Sequence, residues 1–314
     1  MASQLERKID VPQATRDRSL AKRDLDEYGF CVVLEALDAA QLAAAKRRLE
    51  EQADAEIELG IATRDGGGPN QRMWNLINKG RRFRDMITHP LVDELVGHVL
   101  GEQFILSTLS ANIARPGGVR MGLHTDQWWM PPPMRRGADH ARAADITRSP
   151  TDAFVNHDQA LGISPPVVAN TMWMLSEFSA ENGATEVVPR SHVSGTHPDP
   201  ENQERYDIVQ AQAPAGSLMV FDGRLWHGTG ANTGTSDRLG VLGTFCCPQF
   251  RQQENQTLAL DPALWDTLSQ KMKARLGFKV WYSYGRVESP AATVRPDPER
   301  TGELRPGLGT TNED

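Results

Sequence analysis

The chain has 314 residues, of which 24% are charged and 39% are hydrophobic, and its formal net charge is −7. This negative charge argues against a nucleic-acid partner, because phosphates need a basic surface. No stretch is apolar for long enough to cross a bilayer, and residues 1–10 are charged, unlike a signal peptide. Three cysteines are too few for a disulfide scaffold. These features predict a soluble cytoplasmic protein with no membrane or nucleic-acid partner, and they leave a homodimer open.

Residues 1–103 are predicted to form a mainly helical region that braces a sheet. Asp38 followed by Gln41 indicates a capping box, and the apolar residues after it recur at helical spacing as far as Gly60. Asn75 lies further along this region and has two interpretations. It faces a binding cavity, or it belongs to a capped turn.

Residues 104–250 are predicted to form a β-rich core. Four apolar runs have the length of strands: 104–114, 167–178, 217–221 and 238–245. Gly, Pro and Asn turns separate them, including a hairpin signal at 181–183. Short strands joined by such turns favour an antiparallel sandwich or barrel. The segment 127–167 is expected to be an insertion that forms a lid over the mouth of this core.

Residues 251–314 are predicted to form a C-terminal helix and a tail. Asp261-Pro262 is typical of a helix start, and an apolar stripe follows as far as Leu276, before Gly277. Residues 287–314 are rich in Pro, Gly and charge, so we expect a tail that is ordered only where it docks. All three regions are expected to make one domain.

One short motif carries metal chemistry. In His124-Thr125-Asp126 the imidazole and the carboxylate are two residues apart, so on a strand both point to the same face. A distant imidazole, for which His227 is the candidate, would complete a two-His-one-carboxylate triad that suits non-haem Fe(II). A second triplet, 197–199, contains Pro198 and is interpreted as a loop. Arg238 follows His227 by 11 residues, and a buried arginine there needs a carboxylate partner.

Several motifs occur together in a recognisable order. They are Gly29-Phe30 with the Asp38 helix, His124-Thr125-Asp126, Trp173, Glu181-Asn182-Gly183, Val188-Pro189-Arg190-Ser191-His192, and His227 with Arg238. From about Asp24 to Phe250 the chain resembles the phytanoyl-CoA dioxygenase family of Fe(II)- and 2-oxoglutarate-dependent oxygenases. The resemblance implies a mainly β fold with flanking helices around a double-stranded β-helix, also called a jelly roll or cupin-like core.

The resemblance also implies roles for particular residues. His124, Asp126 and His227 are implied to bind Fe(II) and to form the catalytic centre. Arg238 is implied to pair with the distal carboxylate of the cosubstrate 2-oxoglutarate, and the Thr229 hydroxyl to join it.

Two positions depart from the family pattern. Met121 stands where many relatives carry a glutamine near the cosubstrate. Thr171 is a candidate substitute, because it shares one face of its strand with Trp173, although it also simply suits a strand. Arg190 stands where a glycine is common, so a different turn geometry is expected there.

The implied reaction uses O2 and converts 2-oxoglutarate to succinate and CO2 while an unactivated C–H bond is oxidised. Hydroxylation is the default expectation, and desaturation or cyclisation uses the same iron. Because related halogenases lack the carboxylate that Asp126 supplies, halogenation is not expected.

The expected substrate is a small, largely apolar metabolite, in natural-product tailoring or in the metabolism of a lipid-like acid. Its candidate contacts are Trp128, Trp129, Trp173, Asn75 and Asn112. The alternatives are that the lid tryptophans pack onto the sheet and that Asn112 makes a strand hydrogen bond. Two rival functions remain: a cupin-like metal protein that isomerises or binds a ligand without dioxygen, and an interaction protein with a vestigial site.

Overall fold

The computed structural model describes residues 9–65, 68–130 and 162–286. Its α-helices are α1 Arg18–Tyr28, α2 Ala39–Glu58, α3 Arg81–Ile87, α4 Pro90–Leu100, α5 Gln256–Ala259 and α6 Gln270–Arg275. Its strands are β1 Phe30–Val33, β2 Thr63–Arg64, β3 Gln71–Met73, β4 Ile105–Ala114, β5 Val168–Met174, β6 Thr185–Val187, β7 Val209–Gln210, β8 Leu218–Asp222, β9 His227–Thr229 and β10 Arg238–Cys246. Short 3-10 helices lie at Leu76–Asn78, Ser191–Val193, Gln203–Arg205 and Pro262–Thr267.

The strands form two antiparallel sheets. The larger one, called the major sheet here, has the order β1-β8-β5-β10-β4-β3-β2, and the minor sheet has the order β7-β6-β9. An isolated bridge between His124 and His227 extends the minor sheet by one more segment. The two inner faces enclose an apolar cluster that includes Met172, Met174 and Phe178.

The major sheet separates two cores because side chains alternate along each strand. On β5, Ala169 and Trp173 belong to the cluster that packs against the helices, whereas Met172 and Met174 face the minor sheet. Every residue of β5 is buried, as expected for a strand covered on both faces. The major sheet therefore has one face in the helix-side core and an inner face that packs toward the minor sheet.

The N-terminal region braces the sheet, and it also contributes strands to it. The capping box of α2 is present: Gln41 N donates to Asp38 Oδ1 at 2.8 Å, and Asp38 N donates to Gln41 Oε1 at 3.0 Å. The face of α2 that contains Ala45, Leu49 and Ala53 is buried in the helix-side core. The strands β1, β2 and β3 come from this region and belong to the major sheet, so its structure is not only helical.

The C-terminal helix differs from the continuous helix that the apolar stripe predicts. The chain instead forms the 3-10 helix Pro262–Thr267 and then α6, with Leu268 extended between them at ψ 133°. Ser269 starts α6 because its side chain accepts from Met272 N at 3.1 Å. Leu268 and Met272 remain buried in the helix-side core, so the stripe keeps its packing role.

Gln127 joins the two ends of the long insertion. Its Nε2 donates to the Pro165 carbonyl at 2.8 Å, and its Oε1 accepts from Val167 N at 2.8 Å. The middle of the predicted lid, 131–161, and the predicted tail, 287–314, lie outside the described residues. Within the described ranges, no helix is long and apolar enough to cross a membrane.

Candidate metal centre and active site

The three predicted metal ligands meet between the two sheets. His227 opens β9, and His124 pairs with it through two backbone hydrogen bonds of 2.9 and 3.0 Å. Asp126 places Oδ2 3.4 Å from His227 Nε2 and Oδ1 3.7 Å from His124 Nε2. The ligand atoms all lie within 4.8 Å of one another, so the side chains are placed to share one ion.

A backbone carbonyl fixes the proton on each imidazole. His124 Nδ1 lies 3.1 Å from the Gly122 oxygen, and His227 Nδ1 lies 2.9 Å from the Leu225 oxygen. Because a carbonyl only accepts, each Nδ1 carries hydrogen and donates it, and in the neutral ring Nε2 keeps its lone pair. Both lone pairs are then available next to the Asp126 carboxylate, which suits a divalent cation.

Two glycines let the backbone close around these ligands. A Cβ on Gly228 would lie 2.7 Å from the Met121 carbonyl oxygen, and a Cβ on Gly223 would lie 2.6 Å from Val168 Cβ. The Gly223 carbonyl also accepts from Asp126 N at 2.8 Å. Glycine at 228 therefore brings the segment with the first histidine against β9, and glycine at 223 positions the carboxylate.

Arg238, at the start of β10, is fully buried and has no anionic partner among the described residues. No described residue hydrogen-bonds its Nε, Nη1 or Nη2, and its guanidinium lies 4.6 Å from the Phe178 ring centroid. Gly240 leaves room for it, since a Cβ there would be 3.0 Å from Nη1. Burial, with the nearby charge of Arg72 as a second cause, lowers the pKa of Arg238 to about 9. Because an isolated buried cation is unfavourable, this site fits a carboxylate.

Thr229 and Asn112 lie beside the metal ligands. Thr229 is two residues after His227 on β9, so its side chain is on the same face. Asn112 Nδ2 donates to Thr229 Oγ1 at 2.9 Å, while Asn112 Oδ1 has no partner among the described residues. Both residues line the cavity next to the metal ligands.

This cavity has a volume of about 510 Å³, within the roughly 300–1,000 Å³ of typical ligand sites. It is lined by strand residues of both sheets: Arg72 from β3, Thr108, Ser110 and Asn112 from β4, Met172 from β5, Thr185 from β6, Phe221 from β8, His227, Gly228 and Thr229 from β9, and Leu242 and Thr244 from β10. Met121 also lines it, at the position where the family pattern has glutamine.

Arg72 is a cavity residue that the sequence analysis missed. It lies on β3 opposite Asn112, and its Nε is 2.9 Å from Asp65 Oδ2. The sequence signal that could have indicated its position is an arginine between two residues, Gln71 and Met73, that are buried. Three residues are too short a run to show alternation, so the pairing with β4 is what places Arg72 at the cavity.

The structure corrects the predictions for Thr171 and Trp173. The two residues share one face of β5, but it is the face that packs against the helices. Thr171 Oγ1 donates to the Gly243 carbonyl at 3.2 Å, and Trp173 is 1% exposed with its ring edge-on to His89. The intervening Met172 faces the cavity instead.

The other predicted substrate contacts lie outside the described cavity wall, with one exception. Trp129 packs against Phe250 with ring centroids 4.9 Å apart, as in the alternative that the lid packs onto the sheet. Trp128 is half-buried, and Asn75 donates from Nδ2 to a backbone carbonyl at 3.3 Å. Among these candidates, Asn112 alone is a described lining residue.

Two further sequence features have simple structural explanations. Arg190 adopts the glycine-like φ of +69°, and its Nη2 lies 2.9 Å from Asp10 and 2.7 Å from Glu27, so the turn is kept with a different residue. The triplet 197–199 lies in a loop, as predicted. His197 Nδ1 is 3.2 Å from Thr125 Oγ1, on the side of that segment that points away from the metal ligands.

The architecture and the ligand set together define a class of protein: double-stranded β-helix enzymes that use Fe(II) and 2-oxoglutarate. Solved structures share this fold. The epimerase SnoN in complex with Fe3+, alpha ketoglutarate and nogalamycin RO has a TM-score of 0.55 and 17% identity over 78% of this chain and 90% of that one. HygX from Streptomyces hygroscopicus, with nickel, 2-oxoglutarate and hygromycin B bound, has a TM-score of 0.55 and 18% identity, with 74% and 88% covered. The fold prediction is confirmed.

The sequence comparisons identify the family within this class. The family model for phytanoyl-CoA dioxygenase (PhyH) matches residues 25–240. "Dioxygenase af480" of Aspergillus fumigatus is 31% identical over 279 residues, which are 85% of this chain and 81% of that protein. The chain belongs to the phytanoyl-CoA dioxygenase family, and it is an enzyme that depends on Fe(II) and 2-oxoglutarate.

Proposed function

We propose that His124, Asp126 and His227 hold Fe(II), and that Arg238 and Thr229 hold 2-oxoglutarate. The observation that carries this assignment is a fully buried guanidinium, without an anionic partner among the described residues, in the same fold as three clustered metal ligands. A dicarboxylate is the simplest ligand that satisfies both, because one carboxylate suits the metal and the other suits a guanidinium. Asn112 holds the Thr229 hydroxyl in place through its amide.

When bound, Fe(II) supplies the activation of dioxygen, coupled to conversion of 2-oxoglutarate to succinate and CO2 and to oxidation of a substrate C–H bond. The residues of this chain bind, orient and shield. The two Nδ1–H donors keep the imidazole rings oriented, and Arg238 fixes the direction of the cosubstrate. Apolar side chains of Phe221 and Leu242 exclude water from the cavity. Because Asp126 fills the carboxylate position, the proposed outcome is hydroxylation, desaturation or cyclisation rather than halogenation.

The proposed substrate is a small, largely apolar metabolite, and the proposed role is tailoring of a natural product. Met172, Phe221 and Leu242 give the cavity an apolar wall that suits a carbon skeleton. Two proteins with the same fold support the role: SnoN is described from nogalamycin biosynthesis, and HygX holds hygromycin B. A lipid-like acid remains the second candidate, because the Arg72 guanidinium at the cavity can meet a carboxylate.

Titration calorimetry with Zn(II) as an inert metal tests the site. We expect 2-oxoglutarate to bind the metal-loaded protein, His124→Ala to abolish metal binding and turnover, and Arg238→Ala to weaken 2-oxoglutarate binding by about tenfold or more. Arg275→Ala is a matched control, because this buried arginine already pairs with Asp93 at 2.8 Å. Unchanged succinate formation by His124→Ala or Arg238→Ala contradicts the assignment.

The substrate requires a screen of candidate metabolites under oxygen, with substrate-dependent succinate as the readout. A ligand that binds or isomerises without oxygen consumption favours the cupin-like rival. A protein that binds neither metal nor 2-oxoglutarate favours a vestigial site.

A further inference from the structure

Three polar side chains form a row across the inner face of the major sheet. Thr244 on β10 pairs with Asn170 on β5 and with Thr108 on β4. We call Asn170, Thr244 and Thr108 the buried polar row. Thr108 and Thr244 line the cavity, and Asn170 lies between Thr244 and Phe221, which line it as well.

The row is buried and incompletely hydrogen-bonded. Asn170 is 0% exposed, and neither its Nδ2 nor its Oδ1 finds a partner in the part of the chain that the structure describes. The Thr108 hydroxyl, in a residue 3% exposed, is in the same situation. Buried polar groups are normally paired. Such atoms in Thr108, which lines the cavity, and in Asn170, which pairs with the lining residue Thr244, therefore point to a ligand.

Asn232 shows what a structural asparagine looks like in this fold. It is 1% exposed, its Nδ2 donates to the Ala114 and Ser236 carbonyls at 2.8 and 2.9 Å, and its Oδ1 accepts from Gly234 N at 3.1 Å. The carboxamide of Asn170 has none of these contacts with described residues.

The row lies at the metal end of the cavity, away from Arg238. Asn170 is paired with Phe221, and the Phe221 ring lies edge-on to His227 with centroids 4.7 Å apart. The Arg238 guanidinium lies beside Gly240 on β10. Thr244 is four residues further along the same strand, which corresponds to roughly 13 Å. A five-carbon diacid held by Arg238 does not extend that far past the metal, so the row is on the substrate side.

We propose that the buried polar row binds a neutral group of the substrate that both donates and accepts hydrogen bonds, such as an amide or a carbonyl beside a hydroxyl. This inference rests on the proposed function. The row offers a carboxamide and two hydroxyls and no charged side chain, so it complements a neutral group better than a carboxylate. The Arg72–Asp65 ion pair lies at the level of Asn112, four residues from Thr108 along β4.

The row therefore refines the expectation of a largely apolar substrate. An apolar skeleton packs against Met172 and Leu242, and one polar group is anchored at the row beside His227. Anchoring at this point fixes which carbon faces the metal, so the row is a determinant of specificity.

Thermal unfolding of the ligand-free protein is the first test. Asn170→Leu replaces a carboxamide that has no partner among the described residues with an apolar group of similar volume. We therefore expect the unfolding midpoint temperature to stay unchanged or to rise by about 2–4 °C. The control Asn232→Leu removes satisfied hydrogen bonds and should lower the midpoint. A fall with Asn170→Leu as large as that control means that Asn170 is structural and overturns the proposal.

Binding of a neutral probe is the second test. Saturation-transfer NMR with the Zn(II)- and 2-oxoglutarate-loaded protein uses cyclohexanecarboxamide, with cyclohexanecarboxylate as the anionic comparison. We expect the carboxamide to bind more tightly than the carboxylate, and Asn170→Leu and Thr108→Val each to weaken it about tenfold.

The outcomes separate the two levels of inference. If 2-oxoglutarate does not bind the wild type, the proposed function fails. If 2-oxoglutarate binds but the carboxamide does not, or binds wild type and Asn170→Leu equally, the proposal for the row is overturned while the cosubstrate site stands.

Discussion

At the scale of single residues, the buried charge of Arg238 is the main electrostatic feature of the site. Arg238 is enclosed by β10, the Phe178 ring and the space left by Gly240. In the ligand-free protein its charge has no partner among the described residues, so burying it costs the folded state free energy. A bound carboxylate would offset this cost. The same burial that destabilises the ligand-free protein suits the proposed role of Arg238 in binding an anion.

Arg238→Met should stabilise the ligand-free protein at neutral pH by about 1–4 kcal/mol, because it removes a buried charge that has no partner among the described residues. The folded pKa of Arg238 is lowered to about 9, so in the wild type this destabilisation is complete below that pH and fades as the pH rises above it toward the ordinary pKa of arginine. Urea unfolding with and without 2-oxoglutarate measures the effect. The variant should also lose stabilisation by 2-oxoglutarate.

Arg275→Met is the matched comparison for this prediction. Arg275 is also buried, but it donates to the Phe104 carbonyl at 2.7 Å and pairs with Asp93 at 2.8 Å. Its loss should destabilise the protein. Equal destabilisation by both substitutions would show that Arg238 is paired in solution.

At the scale of elements, close backbone contact brings the proposed metal ligands together. The segment from Met121 to His124 crosses β9 at Gly228, with Met121 N donating to the Thr229 carbonyl at 2.8 Å. The segment and the residues just after it contribute His124 and Asp126, and β9 contributes His227, so neither element forms the proposed metal site by itself. The two elements can approach each other because residue 228 is a glycine and has no Cβ.

Gly228→Ala should weaken metal binding by about tenfold or more while leaving the protein folded. The new Cβ would lie 2.7 Å from the Met121 oxygen, so the two histidines must move apart. Gly97→Ala in α4 is the control, because its Cβ would make an ordinary 3.8 Å contact with Phe104. This control should stabilise the protein by about 0.5–1 kcal/mol with no change in metal affinity measured by calorimetry.

A histidine caps the helix α4. His89 Nδ1 accepts from Leu91 N at 3.2 Å, and burial lowers the pKa of His89 below its usual value. Burial also lowers the pKa of His192. Because the folded values are lower than the unfolded value near 6.5, the unfolded state binds more protons below that pH.

The free energy of unfolding should therefore fall as the pH drops through about 6.5. His89→Gln should flatten part of this dependence, because the substitution removes one titrating group whose protonated form cannot cap α4. His98→Gln, which changes a histidine that pairs with Asp26 at 2.8 Å on the surface, serves as comparison. Chemical unfolding between pH 5 and 8 measures the slopes, and an unchanged slope for His89→Gln would refute the assignment.

At the scale of the whole molecule, hydrogen bonds from side chains connect regions that are far apart along the chain. Glu254 accepts from Asn75 N at 2.6 Å and from Leu109 N at 3.0 Å, so it connects the C-terminal region with the N-terminal region and with β4. Arg275 and Gln252 add contacts between the C-terminal region and the start of β4. These links favour unfolding as a single cooperative unit.

Glu254→Ala should lower the free energy of unfolding by about 1–3 kcal/mol, because two backbone N–H groups lose their acceptor. Tryptophan fluorescence and far-UV circular dichroism should still report coincident transitions. Glu177→Ala changes an exposed carboxylate that makes no such link within the described ranges, and it should leave the free energy of unfolding within about 0.5 kcal/mol of the wild-type value. Separate transitions in the wild type would contradict a single unit.

Local patterns in the sequence determined several of the elements and the ligand types. The capping box at Asp38, the strand at 104–114 and the spacing of His124 and Asp126 depend on neighbouring residues, so one chain suffices to recognise them. The implied metal, cosubstrate and family follow from the order of such motifs, and the comparisons confirm them.

Only the tertiary structure decided which side chains reach the cavity. Adjacent residues of a strand point to opposite faces, and the pairing with distant strands sets which face is inner. For that reason Thr171 and Trp173 pack under the helices while Asn170 and Met172 face inward. The position of Arg72 and the buried polar row depend on the same long-range registers, which a local pattern does not contain.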